Sequence, residues 1–436
     1  MSPSDTLPLE RLSGIAERLF RDVRDATFDG IGVTRASYGE GEERAMALVQ
    51  AFAQSQGLVA ERDACSNLVV RLPDEPPGKA LLIGSHFDSV PQGGNFDGLA
   101  GIVAGVLLLI HYRSSGRRPL RPVRVLGLRG EESAWYGKAY MGSLGLLGKL
   151  TREDLQLPHR QSGETLGAAM ARLGVPVADL EKGSAQLDLS QVAAYLELHI
   201  EQGPVMVDRR WPVAVVTGIR GNLRHNRVVC RGEAGHSGAV PRWLRKDAVL
   251  AVADLLSRLD EHWRVLLQMG MDLVMTCGML STNAASHAVS VIPGEAAFSF
   301  EVRSQSADTL EQFYKLMREE CAEIAKARGV AFEFDRRLLT EPATMAPDWV
   351  ARLEAAGTRC GLSLERMASG AGHDAAVFAN AGVPSAMLFI RNDRGSHNPH
   401  EAMDIADFML GVDVLYHAIE TFADDTRGER SSGTDA

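Results

Sequence analysis

Apolar residues recur at helical spacing over residues 43–56 and then give way to short unbroken runs at 67–71 and 80–85. That switch of period predicts a half-buried helix followed by strands buried in a sheet. After a glycine-rich turn comes the longest apolar run, 99–110, inside a helix predicted over 98–112. The run is too short to span a bilayer and reads as a buried helix. A strand over 123–127 follows, ending in a polar loop that begins at Glu131. Strands alternating with helices predict an α/β sheet covered on both faces, with ligands gathering at the carboxyl ends of the strands.

The texture changes near residue 213. Strands are predicted at 226–232, 272–280, 296–303 and 330–335, with helices at 245–268 and 307–328. Read in order this is βαββαβ, a ferredoxin-like module. The first pattern resumes near residue 348, so the module is inserted: α/β domain over 1–212 and 336–423, insert over 213–335. The polar residues 424–436 are expected to be disordered.

Four segments carry chemistry, each at a predicted strand end or the loop beyond it. In GSHFDSVPQGGNFDGLAG, residues 84–101, His86 and Asp88 share one face of an extended chain, so the carboxylate can hold the imidazole for a metal. Asp97 follows in a turn that Gly93, Gly94 and Gly98 let fold tightly, and its two oxygens can bridge two cations. The adjacent pair Glu131-Glu132 is either a solvated loop pair or divides two tasks, Glu132 ligating and Glu131 taking a proton from water that a cation has made acidic. YLELHIEQGP, residues 195–204, offers His199, Glu201 and Gln202; RGSHNPHEAM, residues 394–403, offers His397, His400 and Glu401. Either or both of His397 and His400 can ligate. Nitrogen and carboxylate donors without thiolate suit zinc, and also manganese, cobalt or nickel.

The formal charge of −10 argues against a nucleic-acid or anionic-membrane partner, so an anionic substrate needs a locally placed cation. Five scattered cysteines with no CxxC pair, and no secretory pattern in MSPSDTLPLE, lead to the expectation of a cytoplasmic protein.

Together the four segments, around an inserted βαββαβ module, resemble the dinuclear zinc aminoacylase and carboxypeptidase superfamily. Within it, HIEQGP, GHSG, SGAGHDA and DACSNL are similar to the hydantoinase/carbamoylase amidases. The resemblance implies a mixed-sheet α/β catalytic domain with an inserted lid and dimerisation domain, a homodimer, and two divalent metal ions. It implies that His86 and His199 bind one ion, Glu132 and His397 the other, that Asp97 bridges them, and that Glu131 is the general base. Asp88 stands behind His86, while His373 and Asp374 lie close to the metals, contacting substrate or supporting the ligands. On the insert, His236 would reach a substrate oxyanion and Arg303 a substrate carboxylate; Gln202 and the position of Ser290 would also contact substrate. The substrate expected is an N-carbamoyl-L-amino acid or related ureido acid, with an allantoate-type ureide or an acylamino acid or dipeptide as alternatives. Ser290 stands where relatives carry asparagine, and Ser133 and Trp135 replace a glycine and a following aromatic.

Overall fold

The computed structural model describes residues 7–286 and 288–422. The expected disordered tail, 424–436, lies outside them. Among the described residues no helix is long and apolar enough to cross a membrane. The chain divides into two compact units, one of residues up to 217 and from 345 onward, the other Gly218–Thr344.

The first unit is built on a mixed sheet. Four parallel strands form its centre, in the order Val123–Leu128, Ala80–His86, Val192–Ile200 and Ser385–Ile390. Antiparallel strands flank them: Leu68–Arg71 and Val59–Arg62 on one side, Val213–Ile219 on the other. Parallel strands buried on both faces read as continuous apolar runs, and every residue of Ala80–His86 and Ser385–Ile390 is buried. Helix Leu99–Ser115 packs on the strands with all of its residues from Leu99 to Tyr112 buried, as its apolar run predicts. Because the four central strands run the same way, their carboxyl ends open on one edge. His86, His199, the loop after Leu128 and the loop after Ile390 all come there.

Val213–Ile219 pairs with Ser385–Ile390, which keeps residues 213–217 in this unit and moves the expected boundary at 213 to 218. The expected boundary at 335 moves to 344 because Leu338–Thr340 pairs with Gly221–Arg231 of the insert.

The insert does follow the order strand, helix, strand, strand, helix, strand, its sheet running Leu280–Thr282, Glu295–Ser304, Gly221–Arg231, Ala331–Phe334. The strand expected over 272–280 is two pieces, Val274–Thr276 and Leu280–Thr282, both paired with Glu295–Ser304. The break falls where Glu295–Ser304 bulges between Phe298 and Phe300, and the Ser299 hydroxyl takes the Met279 amide at 3.0 Å. Helix Ala248–Gln268 starts three residues later than expected because Asp247 caps it, accepting from Val249 and Leu250 N–H. Glu295–Ser304 alternates strictly, sending Ala296, Phe298, Phe300 and Val302 into a core with Leu255, Leu310 and Phe313. Glu301 and Arg303 therefore share the opposite face.

Candidate active site

At the open edge of the first unit, two ligand clusters meet at one carboxylate: His86, Asp97 and His199, and Asp97, Glu132 and His397. His86 Nε2 and His199 Nε2 lie 3.5 and 3.2 Å from Asp97 Oδ1. They are 3.5 Å from each other. On the other side His397 Nε2 is 3.4 Å from Asp97 Oδ2 and 3.2 Å from Glu132 Oε1. Both His397 and His400 are exposed, and of the two only His397 stands in a cluster.

These spacings fit divalent ions. Tetrahedral ligands at 2.0–2.2 Å from zinc stand about 3.4 Å apart, which is the separation the side chains hold. The protonation pattern agrees. His86 Nδ1 is 3.0 Å from the Asp88 carbonyl and His199 Nδ1 is 2.9 Å from the Ile200 carbonyl. A carbonyl only accepts, so each Nδ1 carries the proton and each Nε2 presents a lone pair. Both lone pairs converge on Asp97 Oδ1, which is buried and makes no hydrogen bond among the described residues. Three electron-pair donors aimed at one point need positive charge. The same carboxylates that would attract a cation attract protons to these rings: burial opposes a charged imidazole, yet Asp88 and Asp97 hold His86 well above its ordinary value, and Asp97 raises His199. His397 is pushed up to about 11 by its hydrogen bonds to Asp97 and Glu132.

Glu131 belongs to neither cluster. Its Oε2 lies 3.9 Å from His86 Nε2, and burial raises its carboxyl well above the usual range, with His86 opposing and Glu132 and Asp374 adding to the rise.

The Asp88 carboxylate does more than face His86. Its oxygens accept the backbone N–H groups of Glu131 and Glu132, each at 3.0 Å, and the Ser37 hydroxyl at 2.6 Å. The imidazole is oriented chiefly by the Asp88 carbonyl, at 3.0 Å against 3.4 Å for its carboxylate. Asp88 thereby ties the base loop to the first ligand. Trp135 strengthens the same link, its buried indole donating to the Ser89 carbonyl at 2.8 Å. Ser133 is exposed. Gln202 donates to Asp97 Oδ2 at 2.8 Å, so it braces the shared carboxylate in addition to the substrate contact expected of it. Behind the ligands, the fully buried His373 packs edge-on to His199 at 4.4 Å and bonds Ser369 at 2.8 Å. Asp374, pushed up to about 8 by burial and by Glu197, accepts from Ser143 at 2.5 Å.

Three supports escaped the sequence reading. The Glu401 carboxylate accepts Phe96 and Asp97 N–H at 2.7 and 3.2 Å and the Ser396 hydroxyl at 2.9 Å, joining the Asp97 turn to the His397 loop. Glu42 pairs with the fully buried Arg129 and accepts Gly130 N–H at 3.0 Å, fixing the start of the glutamate loop. Arg35, also fully buried, reaches Asn95 Oδ1 and the Asp97 carbonyl at 3.2 and 3.4 Å. Glu401 lies in a motif already singled out, beside His397. Glu42 and Arg35 carry no local mark, since their partners lie 88 and 62 residues away.

Gly98 is required by its surroundings. Its φ is +70°, and a Cβ there would stand 2.6 Å from the His86 ring. Gly98→Ala is expected to lower stability by about 1–3 kcal/mol and to weaken metal retention by displacing His86. Unchanged chemical denaturation and metal content in the purified variant would show that the turn tolerates the side chain.

On the insert, His236 lies in a short bridge with Val291, exposed, its Nδ1 accepting Gly238 N–H at 3.1 Å. That bond puts the proton on Nε2, the form that donates. Ser290 is exposed and its carbonyl accepts Ser237 N–H at 2.8 Å. Arg303 pairs with Glu301 at 3.1 Å on the outward face of its strand.

Two clusters sharing one aspartate, with a buried glutamate beside them that belongs to neither, suit metal-assisted hydrolysis and point to the class of metal-dependent hydrolases. Comparison with known proteins narrows the class. Residues 82–421 match the model of Peptidase family M20/M25/M40, and the chain belongs to that family. It is 33% identical over 390 residues to the N-carbamoyl-L-amino acid amidohydrolase of Geobacillus stearothermophilus, covering 89% of this chain and 93% of that protein. It is 32% identical over 402 residues to the allantoate amidohydrolase of Bacillus subtilis, covering 90% and 93%. Among solved structures, a hydantoinase/carbamoylase family amidase from Burkholderia multivorans aligns with a TM-score of 0.83 at 26% identity, over 96% of this chain and 98% of that one.

Proposed function

We propose that this chain hydrolyses the ureido carbon–nitrogen bond of an N-carbamoyl-L-amino acid or a related ureido acid, using two divalent ions, zinc foremost. His86 and His199 would hold one ion and Glu132 and His397 the other, with Asp97 shared between them. The observation that carries the reading is Glu131, buried with its carboxylate 3.9 Å from His86 Nε2 while belonging to neither cluster. When bound, the ions polarise the scissile carbonyl and make nearby water more acidic. Glu131 takes the proton of the attacking water and returns it to the leaving nitrogen. The carbamoyl product loses ammonia and becomes carbon dioxide, leaving a free amino acid. Asp88 and Glu42 keep the base loop in place through these transfers, and Gln202 holds the shared carboxylate. His236, with its proton on Nε2, donates to the oxygen that gains charge in the transition state. Arg303 takes the substrate carboxylate, which an acidic protein needs a placed cation to attract.

The allantoate relative supports a second reading, since allantoate also joins a ureido group to a carboxylate. Assay of the metal-loaded enzyme on N-carbamoyl-L-amino acids, allantoate, N-acyl amino acids and dipeptides decides among them. Ammonia release from the carbamoyl amino acids is expected; turnover confined to N-acyl amino acids or dipeptides would overturn the proposal. The enzyme is further proposed to be a cytoplasmic homodimer through the insert, where Trp243, Leu244 and Val289 stand exposed.

Arg303→Ala is expected to raise KM for carboxylate substrates and leave metal content unchanged, while a carboxamide analogue, already poor, loses little more. His236→Ala should instead act mainly on kcat. An Arg303 variant that penalises acid and amide equally has lost a structural residue, not a carboxylate clamp.

A further inference from the structure

A second group of metal-binding side chains lies in the α/β unit, on elements that contribute nothing to the candidate active site. Helix Pro347–Arg359 ends at Cys360, its C-cap residue. Asp413 and His417 stand one turn apart on helix Ile405–Glu420, on the face that packs against the first helix. Residues four apart on a helix project side by side, and Cys360 Sγ, one Asp413 oxygen and one His417 nitrogen all lie within 4.8 Å of one another. His417 Nε2 and Asp413 Oδ1 are 3.6 Å apart, close to the roughly 3.4 Å that ligands on a tetrahedral zinc adopt.

We propose that Cys360, Asp413 and His417 form a separate binding site for a soft divalent cation of the zinc or cadmium type, clamping the end of one helix to the flank of the other. Three features of the surroundings favour a cation. A thiolate and a carboxylate together offset its two charges. The site sits at a helix C-terminus, where the unpaired carbonyls carry partial negative charge. The side chains of Asp413 and His417 are 17% and 9% exposed, so the ligands are held by packing while solvent can fill a fourth position. Sulfur sets this site apart: neither cluster at the candidate active site contains cysteine.

That difference supplies the test, which does not depend on the proposed catalytic function. The metal-free full-length protein, kept reduced, is titrated with Co(II). Thiolate ligation gives an intense sulfur-to-cobalt charge-transfer band in the near ultraviolet, which nitrogen and oxygen ligands do not produce. The expected result is a band saturating at micromolar Co(II), absent in Cys360→Ala and weakened at least tenfold in affinity in His417→Gln. Both variants should keep wild-type hydrolytic activity, and Cys360→Ala should bind one ion fewer per chain. No band, a band only at millimolar cobalt, or one that persists in Cys360→Ala would overturn the site. An inactive enzyme with an intact band would overturn the catalytic proposal and leave this one standing.

Discussion

Glu131→Gln is expected to lower kcat by about a hundred- to ten-thousandfold with both ions retained. The amide keeps the size and planarity of the carboxylate, so the loop is unchanged: its backbone N–H still bonds Asp88 at 3.0 Å. What is lost is the ability to accept a proton. Metal retention follows because Glu131 Oε2 is 3.9 Å from the nearest ligand nitrogen and belongs to neither cluster. Elemental analysis and kcat on the same preparation check both halves. Near-normal turnover would remove Glu131 from the mechanism, and loss of an ion would recast it as a ligand.

Asp97→Ala should release both ions and with them all measurable turnover. Each Asp97 oxygen faces a different cluster, Oδ1 toward His86 and His199 and Oδ2 toward His397. Removing the side chain also strips Gln202 of its partner at 2.8 Å and leaves three imidazoles facing one another without the buried charge that holds them. Asp97→Asn separates these effects. It preserves shape and the possibility of one coordinating oxygen, so it should keep more of the fold while still losing metal affinity. His86→Ala, by contrast, should weaken chiefly one ion. Two tightly held ions in Asp97→Ala would refute the bridging role.

The parts of the site legible in the sequence are those that come in short segments. His86 with Asp88, the pair Glu131-Glu132, His199 and His397 each end or follow a strand whose apolar run announces it. Helix 307–328 was equally plain, bounded by the capping Ser306 and by Gly329 at φ +66°. Local signals were weaker where two elements share the decision. The strand expected over 272–280 is broken by a bulge in its neighbour, which nothing within its own residues records. Both insert boundaries moved because strand pairing, which joins distant residues, assigned the flanking segments to their sheets.

The sequence by itself offered nitrogen and carboxylate donors without sulfur in four short segments, and the alternation that lays strands in parallel with their ends together. Only the tertiary structure put His397 and not His400 beside Asp97 and Glu132, turned the two oxygens of Asp97 toward separate clusters, and brought Glu42, Arg35 and Glu401 to the loops they fix. Residue type and spacing describe what a side chain can do within a few positions along the chain. Which distant group it meets depends on the packing of whole elements: Asp88 meets the Glu131 amide 43 residues on, and Glu401 the Phe96 amide 305 residues back.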